Sequence, residues 1–115
     1  MKKAYYLSTC DTCKRILKEL NLSNDWGLQD IKTGKITVEQ LEEMRNLTDS
    51  YDSLLNKRAR KLSEYKGQDL NEENLKSMIL EEYTFLKRPV FLLDNEIFIG
   101  NAKKTVESLK TKLGV

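Results

Sequence analysis

Histidine is missing from all 115 residues. Its absence removes serine-type triads, imidazole acid–base schemes and the commonest metal ligand. Among the side chains that remain, only a thiol titrates near neutral pH without a large shift. Any chemistry here is thiol chemistry. Long apolar runs are missing too, and nothing approaches the roughly 20 residues that span a bilayer. The start "MKKAYYLSTC" carries Lys2 and Lys3, but the chain turns polar from Ser8 to Arg15, so no signal-peptide core follows. There is also no excess of one charge. With 20 basic and 18 acidic residues the formal charge is +2, which gives no global drive toward nucleic acid or an anionic membrane. An electrostatic site must therefore be local. Repeats, low-complexity tracts and linkers are absent as well. These absences predict a cytoplasmic chain with no membrane and no direct nucleic-acid partner.

What is present reads as globular, with 39% hydrophobic and 33% charged residues. The length suits a single domain over 1–115, large enough for a core without staples. Cysteine and proline are scarce enough for each to be weighed singly. Both cysteines, Cys10 and Cys13, lie in "YYLSTCDTCKRIL", residues 5–17. In a reducing cytoplasm such a C-x-x-C pair is more often catalytic or metal-binding than a staple.

Ala4–Leu7 reads as a short aromatic-rich strand, followed by the polar, turn-like Ser8–Asp11. Apolar positions at Cys13, Ile16, Leu17 and Leu20 then follow the spacing of one helix face. Cys10 thus sits where a strand ends and a helix begins, with Cys13 in the first turn. Leu28–Ile31 is a second strand, which completes a βαβ unit with a right-handed crossover. Thr37 and Gln40 form a capping box that opens a helix with Val38, Leu41 and Met44 inward. A further helical piece is predicted over 49–56, followed by the basic run Lys57–Lys61. Asn71 caps a helix whose first turn carries Glu72 and Glu73 and whose apolar face is Leu75, Met78 and Ile79. The region from about 37 to 86 is therefore mainly helical. Val90–Leu93 and Glu96–Ile99 flank Asp94-Asn95, a two-residue loop that suits a β-hairpin. Val106, Leu109 and Leu113 line a last amphipathic helix.

Three readings of the cysteines compete. A closed zinc site needs about four ligands, and two thiolates without histidine leave carboxylates or a partner chain to supply the rest. Burial as small hydrophobes suits Cys13, on the apolar helix face, but not Cys10 in its polar turn. The redox reading has a mechanism. Unpaired amides and the dipole at a helix start lower the pKa of a thiol at Cys10, and Lys14 and Arg15 add positive charge one turn away. Cys10 would then attack as the thiolate, and Cys13 is spaced to resolve the mixed disulfide. We adopt this reading, with no metal.

Pro89, in "FLKRPVFLL", precedes the first hairpin strand, where its missing N–H is tolerated. Its alternative is a cis Arg88–Pro89 bond in a tight turn facing the cysteines. Arg88 and Arg58 offer planar forks suited to oxyanions or carboxylates. The 57–61 run otherwise reads as an exposed basic helix end, to which Lys57, Arg60 and Lys61 belong.

Taken together, "STCDTCKRI" at 8–16, "LLNKRARKL" at 54–62 and "LKRPVFLL" at 86–93 resemble the arsenate reductase family of the ArsC type, including its Spx-like branch. The resemblance, nearly chain-long, implies a thioredoxin-like α/β fold: a mixed four-stranded sheet with a helical insertion between strands 2 and 3. It implies a cis-Pro89 beside the cysteines and Cys10 as nucleophile. It further implies Arg58 and Arg88 as holders of an oxyanion or a glutathione carboxylate, and Thr12 and Arg15 in the cysteine turn are further candidates for binding the anion. No bound cofactor is implied; glutathione with glutaredoxin, or thioredoxin, would be the reductant. Arsenate reductases of this type have one cysteine in the turn and a third arginine after the last strand. Here Cys13 is present, and "GNAKK" at 100–104 holds no arginine. The C-x-x-C form is similar to the Spx branch, whose members bind the α subunit of RNA polymerase through a disulfide switch. The enzyme reading takes a small thiol or redox protein as partner, and the regulator reading takes RNA polymerase.

Overall fold

A computed structural model describes residues 1–115 as two compact units, 1–34 with 88–115, and 35–87. In the first unit, β1 (Lys2–Tyr6) is followed by α1 (Asp11–Leu20) and β2 (Gly27–Asp30). After the second unit come β3 (Val90–Leu93), β4 (Glu96–Ile99) and α4 (Lys103–Leu113). The sheet order is β2-β1-β3-β4. β1 pairs in parallel with β2, from Lys3↔Gly27 to Tyr6↔Asp30, and antiparallel with β3, from Lys2↔Leu93 to Tyr5↔Val90. β3 and β4 form the expected hairpin. This is the mixed four-stranded α/β sheet of the predicted class.

The apolar positions of α1 do what their spacing requires. Cys13, Ile16 and Leu20 are buried, and Asn21 ends the helix in the left-handed region at φ 46°. Ile16 and Leu20 join Val106 and Leu109 of α4 over Ala4 and Phe91 of the sheet, with Trp26 set edge-to-face on Phe91 at 6.2 Å. The hairpin turns at Asp94, φ 55°, whose N–H donates to the Met1 carbonyl at 2.7 Å. That bond pins the chain start to the turn.

The second unit holds helices joined by turns, with one isolated bridge, Leu55↔Leu86. Its α-helices are α2 (Val38–Asn46) and α3 (Glu72–Glu81). Thr37 Oγ1 accepts from the Gln40 N–H at 3.0 Å, and Gln40 Oε1 from the Thr37 N–H at 3.1 Å, so the capping box forms. Leu41 and Met44 are buried, but Val38 is 45% exposed and does not face inward. Positions six apart lie about 120° apart around a helix, so a stripe centred on Leu41 and Met44 turns Val38 outward.

The helix predicted over 49–56 is also corrected. Only Asp52–Leu54 forms a short 3-10 turn. Ser50 Oγ accepts from the Ser53 N–H at 3.1 Å, Ser53 Oγ donates to the Ser50 carbonyl at 2.6 Å, and Glu72 takes the Tyr51 N–H at 2.8 Å. Side chains take up backbone groups that a helix would have used. The basic run is likewise not a helix end. Lys57 and Arg58 lie in a turn, and Arg60 and Lys61 open a 3-10 stretch, Arg60–Tyr65. In α3, Asn71 Oδ1 caps the Asn74 N–H at 2.9 Å, and Leu75, Met78 and Ile79 are buried as their spacing predicts. No helix of the chain is long and apolar enough to cross a membrane.

Candidate functional site

The turn that carries Cys10 begins where β1 leaves its ladder. The Cys10 N–H donates to the Leu7 carbonyl at 3.0 Å, closing a β-turn through Ser8 and Thr9. Cys10 is then the N-cap of α1, with extended dihedrals of φ −98° and ψ 111°. Its carbonyl accepts the first helical bond, from the Lys14 N–H at 3.1 Å. A residue in this position presents its side chain to the unpaired amides of the first turn. Serine or aspartate would accept from them; here the side chain ends in sulfur.

The two thiols differ sharply. Cys10 is partly exposed and Cys13 is fully buried, at 0% exposure, as its place on the apolar face of α1 suggested. The Cys10 sulfur makes no cap hydrogen bond of standard geometry. Partial burial acts to raise its pKa, but this is outweighed by the Cys13 backbone N–H, the Cys13 thiol, the Arg88 charge and the Thr12 N–H. The thiol is therefore held below its ordinary value. Cys13 moves the other way and is pushed up to about 12, first by burial and then by its hydrogen bond to Cys10 and the Cys10 charge. A backbone hydrogen bond from Leu7 and the Arg88 charge oppose that rise without cancelling it. The pair is a partly exposed sulfur that favours the thiolate and a buried one that keeps its proton.

Arg88 is half-buried, and the Arg88–Pro89 peptide is cis. The Gly100 N–H donates to the Pro89 carbonyl at 2.9 Å, which ties the end of β4 to the proline. Thr12 acts on Cys10 through its amide. Lys14 and Arg15 are turned to carboxylates of their own helix, Lys14 Nζ to Asp11 at 3.8 Å and Arg15 Nη1 to Glu19 at 3.5 Å. The cation acting on Cys10 is thus Arg88. Arg15 instead lines a groove of about 330 Å3 between α1 and α4, with Glu19, Asn101, Lys103 and Lys110. The first unit therefore brings together Cys10, Cys13, Thr12 and Arg88. Arg58 belongs to the second unit; its side chain is exposed and its N–H donates to Asn56 Oδ1 at 3.1 Å.

A residue that the sequence reading passed over lies against the same turn. Asp30, at the end of β2, accepts from the Ser8 N–H at 3.2 Å and the Lys32 N–H at 3.1 Å through Oδ1. The signal was available: an aspartate before "IKTG" favours just such a bond to the amide two residues on.

A sequence profile described as the ArsC family matches residues 5–109. The chain belongs to the ArsC family. Membership makes it a thiol-oxidoreductase-like protein. An uncharacterised protein of Haemophilus influenzae is 30% identical over 112 residues, which cover 94% of this chain and 97% of that one. An arsenate reductase from Vibrio cholerae superposes with a TM-score of 0.76 at 14% identity, over 95% of each chain. An arsenate reductase (ArsC) related protein from Brucella melitensis superposes with a TM-score of 0.70 at 19% identity, over 93% of this chain and 92% of that one. At such identities the two structures speak to the fold.

Proposed function

We propose that the protein is a thiol–disulfide oxidoreductase in which Cys10 is the nucleophile. The observation that carries this reading is the opposite treatment of the two sulfurs: Cys10 is favoured as the thiolate at a helix start near Arg88, while Cys13 is buried and protonated. The Cys10 thiolate attacks one sulfur of a substrate disulfide, and that disulfide bond breaks. The departing thiolate takes a proton from water, and a mixed disulfide joins Cys10 to the other half. A second thiol then attacks Cys10 and releases the substrate thiol, which leaves a disulfide between Cys10 and that second thiol. A further external thiol reduces this disulfide, leaves oxidised itself and returns Cys10 as the thiolate. The second thiol is Cys13, or an external one from glutathione, glutaredoxin or thioredoxin. Arg88 binds an anionic group of the substrate such as a carboxylate. Thr12 contributes its amide to the nucleophile. Arg15, engaged by Glu19, serves an anion only if it releases that carboxylate. The absence of an arginine from 100–104 argues against arsenate as the substrate, and the reaction suits a reducing cytoplasm.

Two measurements test this. Alkylation rates across pH should place the Cys10 thiol below the ordinary value of about 8.5; a result at or above it removes the activated nucleophile. Mass spectrometry after glutathione disulfide treatment should then show either an adduct on Cys10 or an internal Cys10–Cys13 bridge. No modification of Cys10 would overturn the reading. The C-x-x-C spacing, with the two thiols close enough to shift one another, also supports a second reading, a Spx-like regulator that binds the RNA polymerase α subunit under control of a Cys10–Cys13 disulfide. RNA polymerase capture that is lost on replacing both cysteines by serine, with no turnover of disulfides, would favour it.

A further inference from the structure

We propose that Asp30 is a positioning residue for the nucleophile: by holding Ser8, its carboxylate fixes the turn that presents Cys10 at the start of α1. This rests on the oxidoreductase reading of Cys10. The turn has little else to fix it. Thr9 is exposed, and the one bond closing the turn on itself runs from the Cys10 N–H to the Leu7 carbonyl. Asp30 supplies the restraint from outside. It takes the N–H groups of Ser8 and Lys32, and the Ser8 side chain leads the causes that keep its carboxyl below the ordinary range, against partial burial. It therefore stays an acceptor throughout the pH range in which a thiol works.

The carboxylate is itself anchored. Asp30 is paired with Tyr6 in the parallel ladder, and the Ile31 N–H donates to the Tyr6 carbonyl at 2.9 Å. On its far side the Gly34 N–H donates to the Asp30 carbonyl at 2.7 Å. A rigid strand end thus reaches across to the loop that must place one sulfur within reach of the amides of Thr12 and Cys13. A sulfur displaced by about 1 Å loses much of such short-range stabilisation, since hydrogen bonds weaken steeply beyond their optimal geometry.

The sign of the effect separates positioning from simple electrostatics. A carboxylate close to a thiol disfavours the thiolate, so deleting a carboxylate that acted by charge would lower the Cys10 pKa. Deleting one that acts by positioning raises it. The test is the pH profile of Cys10 alkylation in the full chain, without substrate, for the parent protein, Asp30→Ala and Asp30→Asn. We expect Asp30→Ala to shift the profile to higher pH and slow alkylation at pH 7 by roughly three- to tenfold, a shift of about half a unit to one unit. Asp30→Asn keeps an acceptor oxygen and should restore the parent profile. An unchanged or lowered Cys10 pKa in folded Asp30→Ala overturns the proposal, as does a failure of Asn to rescue. If Asp30→Ala does not fold, Asp30→Ser carries the same expectation, because its side chain is shorter and has no carboxylate to hold Ser8. A parent profile already at the ordinary cysteine value would instead sink the oxidoreductase reading.

Discussion

The helix starts of the two units are built differently. In the second unit, α2 and α3 begin with Thr37 and Asn71, whose side-chain oxygens take up N–H groups of the first turn. In the first unit, α1 begins with Cys10 and α4 with Ala102, and neither makes a side-chain cap bond. Capping oxygens stabilise a helix and leave its amides occupied. The start of α1 leaves its amides available to a sulfur, so local stability gives way to a group with chemistry. An empty cap is not by itself a site, as α4 shows: Ala102 brings no reactive atom to it.

The sharpest way to break the contrast is to give α1 the cap its neighbours have. Cys10→Ser should abolish disulfide exchange and glutathione adduct formation entirely, since a hydroxyl does not replace a thiolate as nucleophile. The same change should stabilise the protein by on the order of 0.5–1 kcal/mol at pH 5, as serine is among the favoured caps. Denaturant melts read the gain. It should shrink at alkaline pH. Cys10 has a depressed folded pKa, so its anionic form contributes stability above the unfolded value of about 8.5 and loses it as pH falls through the folded pKa. A destabilised Cys10→Ser at pH 5 would mean that those amides are not available to a cap.

The next largest effect concerns the partner sulfur. The folded-state pKa of Cys13 is about 12, above the unfolded value of about 8.5, so its stability contribution is present below 8.5 and lost as pH rises toward 12. The loss has a ceiling of about 1.4 kcal/mol per pH unit, and tyrosines and lysines titrate in the same window. Comparison with Cys13→Ala isolates it. Melts at pH 8 and pH 10.5 should show a steeper fall for the parent than for the variant; parallel falls would mean that Cys13 does not hold its proton.

How far the sequence disclosed this arrangement depends on how local each feature is. The cysteine turn, the capping box at Thr37, the Asn71 cap and the hairpin at Asp94-Asn95 each follow from residues within a few positions, and all four formed. The two misreadings have separate causes. Val38 lies about 120° from Met44 around its helix and so falls off the buried stripe, whereas 49–56 is set by side chains that take its backbone groups, among them the Glu72 carboxylate on the Tyr51 N–H. The assignment of Arg88, rather than Lys14 or Arg15, as the cation acting on Cys10 depends on a residue 78 positions away and on carboxylates within α1. Asp30 was legible as an Asx turn, but its bond to Ser8, 22 positions away, was not.

The smallest expected effect tests whether the two kinds of helix start are independent. Thr37→Ala removes both halves of the capping box, because Gln40 loses its partner when the chain at residue 37 is no longer held. Loss of such a cap costs about 1 kcal/mol, which for a chain of this size lowers the melting temperature by roughly 4 °C. The Cys10 alkylation profile should not move, because none of the groups acting on that sulfur lies in the second unit. A stability loss with an unchanged profile keeps scaffold and site separate. If the profile shifted with the melt, the setting of the nucleophile would depend on the integrity of the insertion, and the contrast between the units would no longer hold.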